Sequence, residues 1–359
     1  MRKIKRTVVI AMLLCAGLVP VCSAGTVRNR GKSKYPTALE LLDKYVETQN
    51  KLKSFILKAQ TSRRGKSSTR AMGKFSTDYS YEYELRSDGS RVRVRRNIWG
   101  RPNSRLDLAK DEALYRSRLW DGETFFRYYR AANSKRAPLG ELSITRIEEE
   151  NNKRTKSKNL DRESPGNFIR GYLPADTDRI DTILRKANTI SVRDETENIG
   201  GADCYVIEAQ TKHGRYKVWI DPSHGYHIAK ATAKRGAGNV VAPGNYKLSG
   251  SETRFFLLEN VRFTKLDDVW VPVEADLAYG STYHGDNYFD NTKIHHKVTD
   301  IILNPDHDAL GSFLPDDIRD GAPVYFINGV RVKGYTWRNV GPVDEKGHKV
   351  DYKTNKPEK

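Results

Sequence analysis

Cysteine is scarce, with three in 359 residues, which excludes a small scaffold stapled by disulfides. Apolar runs are scarce too: beyond the stretch Thr7 to Val21 none is long enough to suggest a multispan membrane protein. Acids are outnumbered, 45 against 63 Lys and Arg, giving a formal charge of +18. Catalytic signatures are missing as well. There is no Gly-x-Ser-x-Gly elbow, P-loop, dinucleotide fingerprint or zinc-protease helix. What is present is a chain 37% hydrophobic and 30% charged, long enough for a substantial core and unlike a typical disordered sequence.

The first residues set the expected compartment. Arg2, Lys3, Lys5 and Arg6 precede the apolar stretch, and Cys22-Ser23-Ala24 puts small side chains where a signal peptidase cuts. Residues 1–24 are expected to be a cleaved signal peptide and the mature protein to be periplasmic. Neither Leu13-Leu14-Cys15 nor Pro20-Val21-Cys22 fits a lipidation box. Export also argues against nucleic acid as a partner. Cleavage leaves Cys204 alone, on a stretch that alternates like a strand, where a thiol packs as a small hydrophobe.

Residues 25–35 are polar and basic, a leader without periodicity. From Pro36 apolar residues recur at three- and four-residue spacing through Ala38, Leu41, Leu42, Tyr45 and Leu52, which predicts one amphipathic helix. After Lys53 the period changes to 2. Tyr79, Tyr81, Tyr83 and Leu85 share one strand face, Ser87-Asp88-Gly89-Ser90 turns, and Arg91 to Trp99 returns. A second hairpin turns at Asp121-Gly122. Residues 131–167 break the rhythm and predict an inserted polar loop, with a short helix expected over 140–150. A helical patch follows at Ile180 to Ala187. From Thr189 to Ile302 alternating segments and tight turns succeed one another. Asn328-Gly329 then marks a type I′ hairpin within 323–337, and 341–359 is expected to be a tail. The fold class expected is mainly β with a few α-helices: a curved antiparallel meander forming an unclosed barrel, within a single domain spanning 36–340.

Two groups of side chains invite a chemical reading. His284, Asp286, Asp290, His295 and His296 have metal-ligand chemistry, as does Asp306-His307-Asp308. Adjacent His295 and His296 on a strand point to opposite faces, however, so they do not share an ion easily, and no metal or other cofactor is assigned. The arginine stripe Arg91, Arg93, Arg95, together with Lys153 and Lys156 of the polar loop, is the candidate surface for anionic lipid head groups.

A single helix ending near Leu52-Lys53-Ser54 precedes a long meander with Trp120-Asp121-Gly122, then Gly200-Gly201-Ala202-Asp203-Cys204-Tyr205-Val206-Ile207, then Lys217-Val218-Trp219-Ile220-Asp221-Pro222. This layout resembles the LolA-like periplasmic lipoprotein carriers and their wider lipid-binding half-barrel superfamily. The resemblance implies helices over the concave face and an apolar cavity for acyl chains, but it matches no position to the family's functional arginine. Arg63 and Arg64 both lie in a plausible region. Alternation marks Tyr205, Ile207, Tyr216, Val218, Val271 and Val273 as candidates for the groove, unless a one-residue slip turns the opposite face inward. The expectation is an exported binding protein, not an enzyme, holding an acyl chain or lipoprotein and working with an inner- or outer-membrane protein partner. The alternative is an envelope regulatory or scaffolding module of the same fold.

Overall fold

A computed structural model describes residues 35–69, 73–103, 106–108, 113–131, 138–146, 167–173, 176, 178–241, 246–283, 288–352 and 356–357. The expected signal peptide and leader up to residue 34, Lys153, Lys156, His284 and Asp286 lie outside the described residues.

Helix α1 (Ala38–Asn50) begins two residues later than Pro36 because Thr37 caps it. The Thr37 side chain accepts from the Glu40 amide at 3.3 Å, and the Glu40 carboxylate accepts from the Thr37 amide at 2.7 Å. This capping box satisfies two amides that the helix start leaves unpaired. Leu41, Leu42 and Tyr45 form its buried stripe. The second helix, α2 (Ile180–Arg185), buries Ile180, Ile183 and Leu184, and a 3-10 turn at Asn167–Arg170 precedes it.

The strands, in chain order, are β1 (Phe55–Thr69), β2 (Gly73–Ser87), β3 (Val92–Asn103), β4 (Leu106–Leu108), β5 (Leu114–Trp120), β6 (Thr124–Arg130) and β7 (Glu141–Arg146). After the helices come β8 (Thr189–Val192), β9 (Glu197–Ile199), β10 (Ala202–Thr211), β11 (Gly214–Asp221), β12 (His227–Arg235), and the short β13 (Val240–Val241) and β14 (Tyr246–Lys247). The long β15 (Thr253–Leu266), β16 (Val269–Tyr283) and β17 (Tyr288–Leu303) follow. The chain closes with β18 (Val324–Ile327), β19 (Val330–Arg331), β20 (Thr336–Arg338), β21 (Gly341–Val343), β22 (Val350–Asp351) and β23 (Lys356–Pro357).

One sheet gathers most of these strands. Its seam is β1, which pairs with β2 from Phe55↔Ser87 to Thr69↔Gly73 and with β17 from Phe55↔Leu303 to Ser68↔Phe289. From that seam one arm runs β2, β3, β5, β6, β7 and the other runs β17, β16, β15, β12, β11, β10. Strands β8 and β9 both pair with β10 at the far edge, and β18 adds to β7 in parallel. The two edges do not pair with each other among the described residues, so the sheet stays open as a half-barrel.

Three departures from the expected elements have local causes. Where a helix over 140–150 is expected, Glu141–Arg146 forms β7. Leu142 and Ile144 alternate with polar neighbours and are buried, so period 2 prevails. The stretch 341–359 is not a bare tail: β21 pairs with β20, β22 pairs with β23, and Val343 and Val350 are buried. The hairpin at Asn328-Gly329 has positive φ at both turn residues, 50° and 80°, but its ladder is only two residue pairs long.

The inner face carries the main core. Leu57, Leu85, Ile207, Val218, Ile220, Val271 and Ala231 pack there against the buried stripes of α1 and α2 and against Phe168 and Ile169. Each large aliphatic side chain buried this way contributes roughly 1.5–3 kcal/mol. The outer face of β5–β7 is covered by the chain that follows β17: Leu119, Phe126, Tyr128, Leu142 and Ile144 pack against Phe313, Ile318, Val324 and Trp337.

Candidate functional site

The strands around the seam are long, and burial falls off along them. On β2, Leu85, Tyr83 and Tyr81 are buried on the inner face, whereas Tyr79, Thr77 and Phe75 are only half-buried. Beyond the helices the inner face therefore changes from aliphatic to aromatic and basic.

Arg63 occupies the middle of that zone. It shares the parity of Phe55, Leu57 and Ala59, which turns it inward, while Arg64 turns outward. Its Nη1 donates to the Tyr79 hydroxyl at 3.0 Å and its Nη2 to Thr292 Oγ1 at 3.5 Å. The guanidinium lies 5.6 Å from the ring centres of both Tyr79 and Tyr279, and its buried Nε has no hydrogen-bond partner. Cation–π contact of this kind holds a desolvated charge, and among the described residues no carboxylate pairs with Arg63.

Tyr279 also borders a pocket of about 280 Å³, lined by Ala233, Arg235, Arg254, Phe256, Ser281, Tyr283 and Asp290 among others. That volume is just under the roughly 300–1,000 Å³ usual for small-molecule sites. Arg254 is held at its rim by the Glu252 carboxylate at 2.7 Å and by the Tyr246 hydroxyl, with the Tyr283 ring 6.0 Å away. Deeper in, Arg235 pairs with the buried Asp176, and the Tyr216 hydroxyl donates to Asp176 at 3.1 Å. Burial raises the Asp176 carboxyl despite the opposing pull of Arg235. The site thus combines aromatic and aliphatic side chains with the ion-paired guanidinium of Arg254 at its rim, that of Arg235 deeper in and the carboxylate of Asp290, which suits an amphiphile with a chain and a polar end.

The six groove candidates named from the sequence, Tyr205, Ile207, Tyr216, Val218, Val271 and Val273, all fall on the inner face within one apolar cluster. Ile207, Val218 and Val271 are fully buried and Tyr216 nearly so. They form the packed floor near the helices, and none of the six lines the open pocket. Parity could have found Arg63. Arg254, Tyr279 and Tyr283 also alternate in phase with core residues, but nothing local places four strands side by side.

The arginine stripe is corrected by the structure. Arg91, Arg93 and Arg95 lie on the outer face, where the chain after β17 neutralises them. Arg93 is 1% exposed and pairs with Asp317 at 2.5 Å and with Asp316. Arg95 also pairs with Asp316, and Arg91 pairs with Asp88 at 2.6 Å and Asp308 at 2.9 Å. Burial raises Asp317, but the Arg93 guanidinium and the Tyr115 hydroxyl outweigh it and hold the carboxyl below its ordinary range. Each arginine of the stripe is thus ion-paired, Arg93 in a fully buried setting and Arg91 and Arg95 half-buried, which leaves the stripe largely neutralised.

The histidines separate as adjacency predicts. His295 faces outward, with Nδ1 2.8 Å from Asp276 Oδ1, and His296 is fully buried inside. His307 is buried beside Phe313, its Nε2 2.9 Å from the Ser87 carbonyl. No cluster of three or more potential metal ligands forms among the described residues. Cys204 is buried on the outer face with Val206, Trp219 and Ala229. Burial, with Asp221 and Asp203 nearby, pushes its thiol up to about 12, so it is not poised as a nucleophile.

No family model matches the chain, and no curated protein matches it. Among solved structures it is similar to a LolA superfamily protein of Nitrosomonas europaea, at 13% identity and a TM-score of 0.35, over 79% of this chain and 99% of that one. A DUF1329 family protein of Desulfovibrio piger follows at 12% identity and a TM-score of 0.34, over 78% and 98%. The MucA/MucB complex of Pseudomonas aeruginosa matches at 8% identity and a TM-score of 0.23, over 74% and 99%.

Proposed function

We propose that the protein is an exported, periplasmic binding protein that holds the acyl chain of a lipid or lipoprotein against the inner face of its half-barrel. The observation that carries this reading is the pocket bounded by the apolar and aromatic side chains of Ala233, Phe256, Tyr279 and Tyr283, with the Arg254 guanidinium at its rim. Burying an acyl chain contributes about 0.8 kcal/mol per CH₂, so affinity requires no reactive side chain. Delivery to or from a membrane would call for an inner- or outer-membrane protein partner. Among the described residues no helix is long and apolar enough to cross a membrane.

The test is native mass spectrometry of protein purified without detergent, followed by solvent extraction and a fluorescent fatty-acid titration. A released lipid or acylated peptide is expected. Ala233→Trp, which fills the pocket, should weaken fatty-acid uptake at least about tenfold while circular dichroism stays unchanged. Protein that is empty and takes up no fatty acid would overturn the reading. A stoichiometric protein partner recovered in its place would favour the regulatory or scaffolding alternative.

A further inference from the structure

We propose that the outer face of the sheet, at the strand ends nearest the β1–β2 turn, is a docking surface for an anionic phospholipid bilayer. This surface lies on the opposite face from the pocket, and its role is independent of acyl binding. The register runs one line across six strands: Lys66 pairs with Asn291, Asn291 with Gly280, Gly280 with Phe255, Phe255 with Lys234 and Lys234 with Arg215. All of them alternate out of phase with inner residues such as Ala59, Phe256, Ala233 and Tyr216, so they face outward. Lys66, Lys234 and Arg215 are exposed and pair with no carboxylate among the described residues. Lys234 and Arg215 stand directly opposite each other, an arrangement of like charges that repels.

The neighbouring lines add further bases. On one, Lys293 is exposed and stands opposite Arg64, whose charge is met by Asp78 at 3.6 Å. On the other, Lys74 stands opposite Ser68. Acids near these bases are already taken, Glu208 by Arg193 at 2.6 Å and Asp276 by His295 at 2.8 Å. Glu259 stands one line beyond Lys293, opposite Asp276.

Two aromatic rings sit among the bases. Phe255 is 44% exposed, and its ring lies against the backbone of Gly280, where a Cβ would come within 2.6 Å of the ring's Cε1. Phe289 is half-buried opposite Ser68. A groove of about 580 Å³ is bordered by both rings, by Ala278 and by Arg64, Lys66 and Lys293. The C-terminal segment packs on the outer face of β5–β7 and does not reach this band among the described residues. The chemistry favours a lipid surface over a single anion. Lysines are flexible point charges that impose no fixed ligand geometry, unlike a guanidinium fork. Spread around exposed rings, they match a plane of many equivalent head groups, with the rings at the boundary between head group and acyl chain.

Vesicle sedimentation tests this with protein lacking residues 1–24, whose apolar stretch would itself enter lipid and whose removal leaves every described element. Binding to vesicles of equal parts phosphatidylglycerol and phosphatidylcholine is expected to be at least about tenfold tighter than to phosphatidylcholine alone, and to vanish at high salt. The triple variant Lys66→Gln/Lys234→Gln/Lys293→Gln should lose at least about tenfold on the anionic vesicles, with fatty-acid uptake and circular dichroism unchanged. Removing as many charges toward the other end of the strands, in Lys58→Gln/Lys265→Gln/Lys297→Gln, should change nothing. Phe255→Ala should weaken vesicle binding at least about threefold but leave binding to soluble polyglutamate, the probe for an acidic protein surface, unchanged. Equal binding to both vesicles, no binding to either, or a preference that survives the triple variant at Lys66, Lys234 and Lys293 would overturn the membrane surface and leave the acyl-binding reading standing. Polyglutamate bound as tightly as the anionic vesicles, with Phe255→Ala without effect on either, would overturn it in favour of an acidic protein partner.

Discussion

His296 is a base kept uncharged by its surroundings. Its ring lies between Tyr83 and the edge of Phe168, with Nδ1 3.2 Å from Thr61 Oγ1. Burial, helped by His295, lowers it from 6.5 to about 3, and burial lowers His227 to about 4. In the unfolded chain both take a proton near 6.5. Between there and pH 4 the unfolded state therefore binds more protons than the folded one, and stability falls as pH falls. Each histidine contributes a slope of up to about 1.4 kcal/mol per pH unit. Urea unfolding of His296→Leu between pH 7 and 4 should show a pH dependence shallower by about 1 kcal/mol per unit than the parent's. An unchanged slope would mean that His296 is charged in the folded protein.

Among the elements, the segment after β17 has the least local signature and a large structural share. Asp316 and Asp317 read as turn residues in Phe313-Leu314-Pro315-Asp316-Asp317-Ile318, yet they neutralise a buried arginine from more than two hundred residues earlier. Asp317→Asn removes a charge that the buried Arg93 needs, and should destabilise the protein by about 3–5 kcal/mol. Arg93→Met together with Asp317→Asn should recover part of that loss, because the pair then leaves no unmatched charge. Urea midpoints of the three variants decide this, and equal midpoints for Asp317→Asn and the parent would refute it. Helix α1 and the hairpins at Asp88-Gly89 and Asp121-Gly122 were legible, since period and cap lie within a dozen residues. The strand β7 was not: a short helix is expected over 140–150, whereas Leu142 and Ile144 alternate with polar neighbours and are buried in a strand.

At the scale of the whole molecule, the half-barrel is clothed on both sides: helices on the inner face, and the C-terminal segment on the outer face of one arm. Ending the chain after Leu303 should bare Leu119, Phe126, Leu142 and Ile144 together. We expect this truncated protein to bind a hydrophobic dye and to aggregate, while the full chain does neither. A monomeric, dye-silent truncation would show that the outer cover is dispensable.

The amino-acid sequence by itself determined the class of fold, because alternation, turn residues and the capped helix each act over a few neighbouring positions. It also determined which residues along a strand go together, Tyr205 with Ile207 or Arg63 with Leu57, since alternation fixes partners on a face. Only the tertiary structure decided which face is the inner one, that β1 lies between β2 and β17, and which arginines meet acids. Those outcomes depend on segments hundreds of residues apart. A strand's own pattern is the same whether a helix, a carboxylate or an open pocket comes to lie against it.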